Sequence, residues 1–362
     1  MKIGILSMQR VRNYGSFLQA YALKRLLEQQ GHSVRFVDLP LRQTAQAAPS
    51  KGMFAKLRLV DRYVLRRLDF QKKRHQLHQV YARVQETYLG LGEMQFSAEG
   101  CDAVVIGSDE VFNCDSGGDW KITPERFGYD PTVKKSITYA ASCGYAGVGD
   151  INDADAAIIK KGLSCLDAVS VRDENTAGFV RHFRQGEVLY HLDPVLIYDF
   201  REELRTELTH RPPSEPYLVV YAYHNRIKAK EEILAIRSYA KKHGLKLISV
   251  GGLQAWCDDY AVLEPFEVLD WFRGAACIVT DTFHGTVMSA KFNKPFAVIV
   301  RESNANKLQD LLVRLDLQEH QVREMTRLPA ILDRAPTYES FNQTLALERQ
   351  RTEEYLKNAL MM

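Results

Sequence analysis

The 362-residue sequence predicts an α/β protein with two Rossmann-like domains that face a cleft, followed by a C-terminal helix. Short apolar runs alternate with helical patterns along almost the whole chain, which is typical of parallel sheets with crossover helices. Three prolines within 212–216 interrupt this alternation, because proline fits neither a helix interior nor a central strand. The length of 362 residues also corresponds to about two domains.

The first half begins with a strand over 2–6, a turn over 11–15 and a helix that ends near Gly31. Ser16 followed by Gln19 fits a capping box, which predicts that this helix starts at Ser16. The remaining strands are short apolar runs that end at small or polar residues, over 34–37, 103–106, 136–140, 168–171 and 188–190. Helical patterns cover 154–163 and 174–183.

The second half repeats the alternation. Strands are predicted over 217–223, 245–250, 277–280 and 296–300, and helices over about 227–243, 266–275, 285–292 and 304–315. We therefore expect an N-terminal domain over 1–198, a linker over 199–216, a C-terminal domain over 217–335 and a helical tail over 336–362. Ligands of such proteins bind at the carboxyl ends of the strands, so the cleft between the domains is the expected site.

The composition excludes several classes of protein. The hydrophobic fraction of 46% and the charged fraction of 26% are ordinary for a folded chain. No run approaches the roughly 18 apolar residues of a membrane span, and the first residues are too polar for a secretory signal, so we expect a cytoplasmic protein. The six scattered cysteines and the absence of paired Cys or His motifs predict neither a disulfide framework nor a metal site.

The net charge is +3, but the charges are unevenly distributed. Residues 51–83 form a basic segment with ten Lys or Arg and two Asp or Glu. A helix drawn over 53–84 has an apolar face and a basic stripe. The face comprises Met53, Leu57, Val60, Val64 and Leu68, and the stripe comprises Arg58, Arg62 and Arg66. One interpretation is an amphipathic helix docked on its own domain, and the other is peripheral contact with an anionic membrane or a polyanionic acceptor. Nucleic-acid binding is not favoured, because aromatic residues do not alternate with the basic ones.

Polar loops follow five of the predicted strands, over 13–16, 107–113, 141–144, 170–173 and 280–286. The last is the most informative, because the N–H groups of a helix that starts near Gly285 would form an anion site. Thr282 and Thr286 would add hydroxyl donors, and His284 would act as a cationic donor or a proton shuttle. Alternatively, Thr282 is only the helix cap and His284 has no chemical role.

Three charged residues at these loops have two interpretations each. Arg172 directly follows a strand and could bind an anion bidentately, or could pair with an acidic residue at the next helix start. Asp109 and Asp281 could orient or deprotonate a hydroxyl, or could cap a turn. Further candidate binding residues are Asn13, Gly15, Ser16, Ser108, Asn113, Thr282, Gly285 and Thr286. The 13–16 turn has no dinucleotide or P-loop motif.

Five sequence blocks occur in order. They are NYGSFLQAYAL at 13–23, GSDEVFN at 107–113, SVRD at 170–173, LDPVL at 192–196 and TDTFHGTVMS at 280–289. With these blocks the chain resembles the polysaccharide pyruvyl transferase family over most of its length. The resemblance implies a fold similar to that of GT-B glycosyltransferases. It also implies transfer of pyruvate from phosphoenolpyruvate to a sugar of a cell-surface polysaccharide or its lipid-linked precursor, giving a ketal without a metal or redox cofactor.

The resemblance also implies roles for individual residues. A histidine in the FHG block and an arginine in the SVR block are implicated in phosphoenolpyruvate binding, and they correspond to His284 and Arg172. Our hypothesis is that His284 protonates the enol carbon and that Asp109 or Asp281 assists the attacking hydroxyl. The chain departs from the family at four positions: Glu110, where glutamine is usual, Phe112, where tryptophan is usual, Thr282, where serine is usual, and Asp173, where glutamate is common.

Two other functions remain open from the sequence. A GT-B-like glycosyltransferase could place the diphosphate of a nucleotide sugar at the same helix start. A carbohydrate-binding protein without activity could also retain the fold, although the presence of Arg172, His284 and Asp109 argues against it.

Overall fold

The computed structural model describes residues 1–40, 61–115, 120–205, 208–334 and 337–361. Of the predicted basic segment, residues 53–60 therefore lie outside the described part of the chain, and so do the side chains of 61–68. This covers the whole predicted face and stripe, namely Met53, Leu57, Arg58, Val60, Arg62, Val64, Arg66 and Leu68. The membrane interpretation of 53–84 stays a prediction.

The N-terminal sheet is parallel and has the strand order β2-β1-β3-β4. The strands are β1 (Lys2–Leu6), β2 (Ser33–Val37), β3 (Ala103–Ile106) and β4 (Lys135–Thr138), and backbone bridges extend the sheet to the pair β5 (Ser170–Val171) and β6 (Leu189–Tyr190). The helices are α1 (Tyr14–Gln29), α2 (Asp61–Leu89), α3 (Asp153–Ser164), α4 (Glu174–Phe183) and α5 (Pro194–Ile197). We call this part of the chain the N-terminal unit.

The C-terminal sheet is also parallel, with the order β11-β10-β7-β8-β9. Its strands are β7 (Tyr217–Ala222), β8 (Lys246–Gly251), β9 (Asp259–Ala261), β10 (Cys277–Thr280) and β11 (Phe296–Val298). The helices are α6 (Lys230–Lys242), α7 (Pro265–Gly274), α8 (Phe283–Lys291), α9 (Ala305–Arg314), α10 (Leu328–Leu332) and α11 (Glu339–Met361). The strands and helices through α9 form the C-terminal unit. The sequence prediction missed β9 and α10.

Every residue of β3, β7 and β10 is buried, which explains why these strands are continuous apolar runs rather than alternating ones. Strands of a parallel sheet are covered by helices on both faces, so both sets of side chains need to be apolar.

Helices α1 and α7 join the two units through aromatic side chains. The ring centroids of Phe17 and Tyr21 lie 6.0 and 4.9 Å from that of Phe266. The predicted tail helix, α11, returns to the N-terminal sheet, where Tyr355 Oη donates to the carbonyl of Thr138 at 2.6 Å. One hydrophobic core therefore runs through both units.

The start of α1 differs from the prediction. Asn13 is the N-cap, and its side chain accepts a hydrogen bond from the N–H of Ser16 at 2.7 Å. The capping box at Ser16 was therefore wrong, and the Ser16 hydroxyl instead donates to Asp109 at 2.8 Å. Helix α8 also starts earlier than predicted, at Phe283 with Thr282 as its cap rather than near Gly285.

The described part of α2 packs within the protein. The Tyr81 ring lies 5.3 Å from that of Tyr14, and Lys73 forms an ion pair with Asp259 of the C-terminal unit at 3.2 Å. Arg83 forms a second ion pair, with Glu264. Over its described side chains, α2 thus bridges both units. In the described part of the chain, no helix has the length and apolar character to cross a bilayer.

Candidate functional site

The candidate site lies where the carboxyl ends of the two sheets approach each other, between the starts of α1 and α8. The imidazole of His284, on α8, packs directly against Gly15, on α1. A Cβ atom at position 15 would lie 2.2 Å from His284 Nδ1, so only glycine allows this contact. Two residues from predicted loops far apart in sequence are thus brought together.

Arg172 is the central cation of the site. Its Nη1 donates to Asp193 Oδ2 at 2.8 Å, and its Nη2 lies 3.5 Å from Asp109 Oδ1. The guanidinium carbon is 4.1 Å from the centre of the Phe283 ring, at the start of α8 in the other unit. Arg172 therefore lies against the start of α8, across the cleft from its own unit. We call Arg172, Asp109, Asp193, Phe283 and His284 the Arg172 cluster.

Asp193 lies between Arg172 and His284, the two residues that the family resemblance implicates in phosphoenolpyruvate binding. Its Oδ2 lies 3.4 Å from His284 Nε2 and also accepts from the Ser108 hydroxyl at 3.2 Å. Burial opposes its ionisation, but His284 and then Arg172 outweigh that effect and hold the Asp193 pKa well below its usual range. Asp193 is therefore a buried anion, and the sequence analysis did not include it among the candidate site residues.

Three buried nitrogens of the cluster lack a hydrogen-bond partner among the described residues. They are Nε and Nη2 of Arg172 and Nε2 of His284. At 3.4 Å, the contact of His284 with Asp193 is electrostatic rather than a well-formed hydrogen bond. A buried donor without a partner costs about 1–3 kcal/mol. A ligand with several acceptor oxygens would remove this cost, so the cluster is suited to an anion.

The start of α8 contributes backbone donors. The Thr282 hydroxyl accepts from the N–H of Gly285 at 2.9 Å, and the Thr286 hydroxyl donates to the Thr282 carbonyl at 3.0 Å. Both predicted threonines are thus engaged in capping the helix. The N–H groups of Phe283 and His284 remain at its open end, where the helix dipole favours an anion. Gly285 is required for packing, since a Cβ there would lie 2.1 Å from Thr280 Oγ1.

Asp109 provides an accessible carboxylate beside Arg172. Its side chain is 13% exposed, and its backbone has the left-handed φ of 70° that few residues other than glycine adopt. The Ser16 hydroxyl and Arg172 hold the carboxylate in place. Such a conformation costs about 1–3 kcal/mol and is typical of functional sites.

Asn113 lies apart from these residues. Its side-chain amide donates to Glu110 Oε2 at 2.9 Å, and Glu110 in turn forms an ion pair with Lys307 of α9. The Glu110 carboxylate that departs from the family pattern therefore links the N-terminal unit to the C-terminal unit.

Asp281 belongs to a second group of charges. Its Oδ2 lies 3.4 Å from Arg226 Nε and 3.3 Å from Arg301 Nε, and Arg301 also binds Glu232 through both of its terminal nitrogens. Burial raises the pKa of Asp281 against the opposing effect of the two arginines. We call these four residues the Asp281 cluster. Arg226 and Arg301 were missed from the sequence, because each follows a strand without any recognisable motif around it.

Within the described ranges, no three His, Cys, Asp or Glu side chains converge as they would around a metal ion. The charged groups at the site are instead paired with arginine, lysine or histidine.

Comparison with known proteins adds a family and a fold. A sequence model of the family described as polysaccharide pyruvyl transferase matches residues 13–303. The S. aureus MnaA–UDP co-structure superposes with a TM-score of 0.51 at 12% identity, covering 99% of this chain and 96% of that one. Methanocaldococcus jannaschii UDP-GlcNAc 2-epimerase, in complex with UDP-GlcNAc and UDP, gives 0.51 at 10% identity and covers 96% and 99%. No curated protein sequence matches significantly. The fold is the GT-B-like α/β architecture that the sequence predicts.

Proposed function

The chain belongs to the polysaccharide pyruvyl transferase family, and from that premise we propose that it transfers pyruvate from phosphoenolpyruvate to two hydroxyls of one sugar. The acceptor is a sugar of a cell-surface polysaccharide or of its lipid-linked precursor, and the products are a cyclic pyruvate ketal and inorganic phosphate. The proposal is supported above all by the three buried, unpartnered nitrogens of the Arg172 cluster.

Phosphoenolpyruvate carries a carboxylate and a phosphate, and the cluster offers donors for both. Nε and Nη2 of Arg172 form the kind of planar fork that binds a carboxylate bidentately. The open N–H groups at the start of α8 suit the phosphate. Arg172 is 2% exposed and fixed between Asp193 and Phe283, so its guanidinium is already oriented before a ligand arrives.

His284 is the proton donor in this proposal. Its Nε2 has no hydrogen-bond partner among the described residues and lies 3.4 Å from the buried Asp193 carboxylate, so in this proposal Nε2 carries the proton to the substrate, while Nδ1 packs against Gly15. Transfer of this proton to the methylene carbon of phosphoenolpyruvate produces a methyl group and makes C2 electrophilic.

Asp109 is the base in this proposal, because its carboxylate is accessible whereas that of Asp281 is fully buried. Asp109 accepts the proton of the first sugar hydroxyl as its oxygen bonds to C2. The C2–O bond to phosphate then breaks, and the second hydroxyl closes the ketal. One hydroxyl proton replaces that lost by His284, and the other leaves with phosphate. Asp281 has a positioning role, since it holds Arg226 and Arg301.

The experiment measures phosphate release from phosphoenolpyruvate in the presence of a panel of galactosyl and N-acetylhexosaminyl acceptors. We expect acceptor-dependent release by the wild-type protein, and loss of release in His284→Ala and Arg172→Lys with the fold retained by circular dichroism. Activity that survives both substitutions would overturn the site assignment.

A second candidate function, nucleotide-sugar transfer, is favoured by the UDP bound in the two similar structures named above. Thermal shift distinguishes the two, since a ligand that binds only the folded state raises its melting temperature. Stabilisation by UDP or GDP sugars and none by phosphoenolpyruvate would favour the second function.

A further inference from the structure

A cavity of about 260 Å³ lies where the two units meet, between α1, the end of α2, the predicted linker and the start of α7. Most of its polar lining consists of glutamates and tyrosines, namely Tyr21, Tyr88, Glu202, Glu203, Glu264 and Glu267. Because a water molecule occupies about 30 Å³, the cavity has room for a small organic molecule. Its described lining shares no residue with the Arg172 cluster, so a ligand here would be separate from phosphoenolpyruvate.

The Glu203 carboxylate is buried at this cavity with one of its two oxygens unused. Its side chain is 6% exposed, and Oε1 accepts hydrogen bonds from the hydroxyls of Tyr21 at 2.6 Å and Tyr198 at 2.9 Å. Oε2 is also buried, but it has no hydrogen-bond partner among the described residues. Buried side-chain oxygens are normally bonded. The carboxylate therefore lacks a donor on this side.

The charge of Glu203 is also poorly compensated. In the part of the chain that the structure describes, its one ion pair is with Arg25, whose Nε lies 4.0 Å from Oε1. Arg25 is already bound by Glu28 at 3.0 Å and by Glu202 at 2.8 Å. A buried charge is costly unless a counter-ion of good geometry faces it. The missing donor of Glu203 should therefore carry a positive charge.

Other carboxylates of the lining add to the negative potential. Glu264 is paired with Arg83, and the buried Glu267 accepts from the backbone N–H of His210 at 2.7 Å. Burial, followed by the charge of Glu264, raises the pKa of Tyr88, although Arg83 opposes the shift. The partly exposed ring of Tyr88 thus lies in a negative field, where a cation can also contact the aromatic face.

An ammonium group fits these features. Its N–H groups can donate to Glu203 Oε2 while its charge offsets that of the carboxylate, and such charge-assisted hydrogen bonds are the strong ones. Within the described ranges, no three His, Cys, Asp or Glu side chains converge as metal ligands, so the arrangement suits an organic cation better than a metal ion. Glu203 and Glu264 offer one carboxylate each, which suits a ligand with two ammonium groups.

We propose that this cavity binds an aliphatic diamine, with one ammonium group donating to Glu203 Oε2 and the carbon chain of the ligand along Tyr88. The inference goes beyond the proposed function and does not depend on it. The ligand would contact α1 of the N-terminal unit and α7 of the C-terminal unit, so its binding would stabilise the contact between the two units.

The test is isothermal titration calorimetry of putrescine into the full chain at physiological salt concentration. The neutral 1,4-butanediol and the anion succinate have a similar length and are the matched ligands. We expect putrescine to bind at least about ten-fold more tightly than either, because only putrescine carries ammonium groups. Bound putrescine should also raise the melting temperature, since it binds only the folded chain.

Glu203→Gln removes the charge but keeps the size of the side chain and an oxygen for the two tyrosine hydroxyls. We expect putrescine binding to weaken at least about ten-fold. The melting temperature without amine should stay equal or rise, because an uncompensated buried charge is removed. Glu348→Gln is the matched control and should bind putrescine like the wild-type protein. Glu348 is as buried as Glu203, but it is paired with Arg314 and Arg351.

Thr209→Lys is a second test that stands even if Glu203→Gln does not fold. Thr209 lies at the exposed rim of the cavity, where a lysine would supply an ammonium group from the protein itself, so we expect this variant not to bind putrescine. The proposal is overturned if putrescine binds no more tightly than 1,4-butanediol, or if either cavity variant binds it like the wild-type protein. Binding of Mg²⁺ or Ca²⁺ that depends on Glu203, with no binding of putrescine, would also overturn it.

Discussion

The Arg172 cluster and the Asp281 cluster both hold arginines against a buried carboxylate at the carboxyl edge of a parallel sheet. They differ in which buried atoms lack a partner among the described residues. In the Arg172 cluster these atoms are nitrogens of Arg172 and His284, whereas in the Asp281 cluster the atom is the carboxylate oxygen Oδ1 of Asp281. An anionic substrate brings acceptor oxygens, so only the first cluster lacks what phosphoenolpyruvate supplies.

The arginines of the two clusters also differ in their exposure and in the number of their nitrogens that lack a hydrogen-bond partner. Arg172 is almost inaccessible and keeps two nitrogens unused, whereas Arg226 and Arg301 are about one quarter exposed and Arg301 is bound by Glu232. An inventory of positive charges would rank the Asp281 cluster higher. The number of unsatisfied hydrogen-bond donors instead favours the Arg172 cluster, where we propose that phosphoenolpyruvate binds.

The largest effect should follow from changes within the Arg172 cluster. His284→Ala removes the proposed acid and should lower kcat/KM for phosphoenolpyruvate by about 10³-fold. Arg172→Lys should lower it by about 10²-fold, because one ammonium does not reproduce the two-nitrogen fork. Steady-state phosphate release measures both, and melting temperatures verify that the variants are folded. Near-wild-type activity of either variant would contradict the assignment of phosphoenolpyruvate binding to the Arg172 cluster.

Asp193→Asn tests the contribution of the buried carboxylate that lies between Arg172 and His284. The asparagine keeps the size of the side chain but removes its charge, and with it the charge-assisted hydrogen bond from Arg172. We therefore expect kcat to fall about 30-fold in the phosphate-release assay, while the melting temperature verifies the fold. An unchanged kcat in the folded variant would contradict a role of the Asp193 charge in the reaction.

Gly15→Ala tests the packing of α1 against α8. The added methyl group would overlap the imidazole of His284, so the ring has to move, and we expect about a ten-fold loss of kcat. Gly149→Ala is the matched control, because nothing lies within 4 Å of a Cβ at that position. Equal activity of the two variants would show that the position of His284 does not depend on Gly15.

The Asp281 cluster should respond more weakly. Asp281→Asn keeps the buried volume, and we expect KM for phosphoenolpyruvate to change less than about three-fold, since our proposal places phosphoenolpyruvate in the Arg172 cluster. The same kinetic assay measures it. A loss as large as that of His284→Ala would mean that the donor binds at Arg226 and Arg301, and would reverse the comparison.

The last prediction concerns stability rather than activity, and it involves His191, two residues before Asp193. Burial lowers the His191 pKa to about 4, so between about pH 4 and 6.5 the unfolded chain binds more protons and stability rises with pH. We expect the free energy of unfolding in urea to fall by roughly 2 kcal/mol from pH 7 to pH 5. His191→Asn should flatten this dependence, and an unchanged dependence would contradict the assignment.

The sequence predicted strands and helices well where apolar runs are long. Strands β1, β3 and β10 and helix α4 have the predicted boundaries. It failed for β9, a three-residue strand at the sheet edge without an apolar run. It also placed the cap of α1 at Ser16, because a capping box is a local pattern, whereas the Ser16 hydroxyl is taken by Asp109, ninety-three positions away.

The candidate site was partly predictable, because several of its residues lie in loops that follow apolar strands. His284, Arg172 and Asp109 were identified because each follows a strand within a recognisable sequence block. Asp193 was missed as a site residue, since an Asp before Pro194 is indistinguishable from a simple turn until the fold brings it against Arg172 and His284.

Calorimetric titration of phosphoenolpyruvate into the wild-type protein, Arg172→Lys and Asp281→Asn measures directly whether phosphoenolpyruvate binds at Arg172. We expect binding to the wild-type protein and to Asp281→Asn with affinities within about three-fold of each other, and at least thirty-fold weaker binding to Arg172→Lys. Undiminished binding to Arg172→Lys, or loss of binding in Asp281→Asn alone, would contradict it.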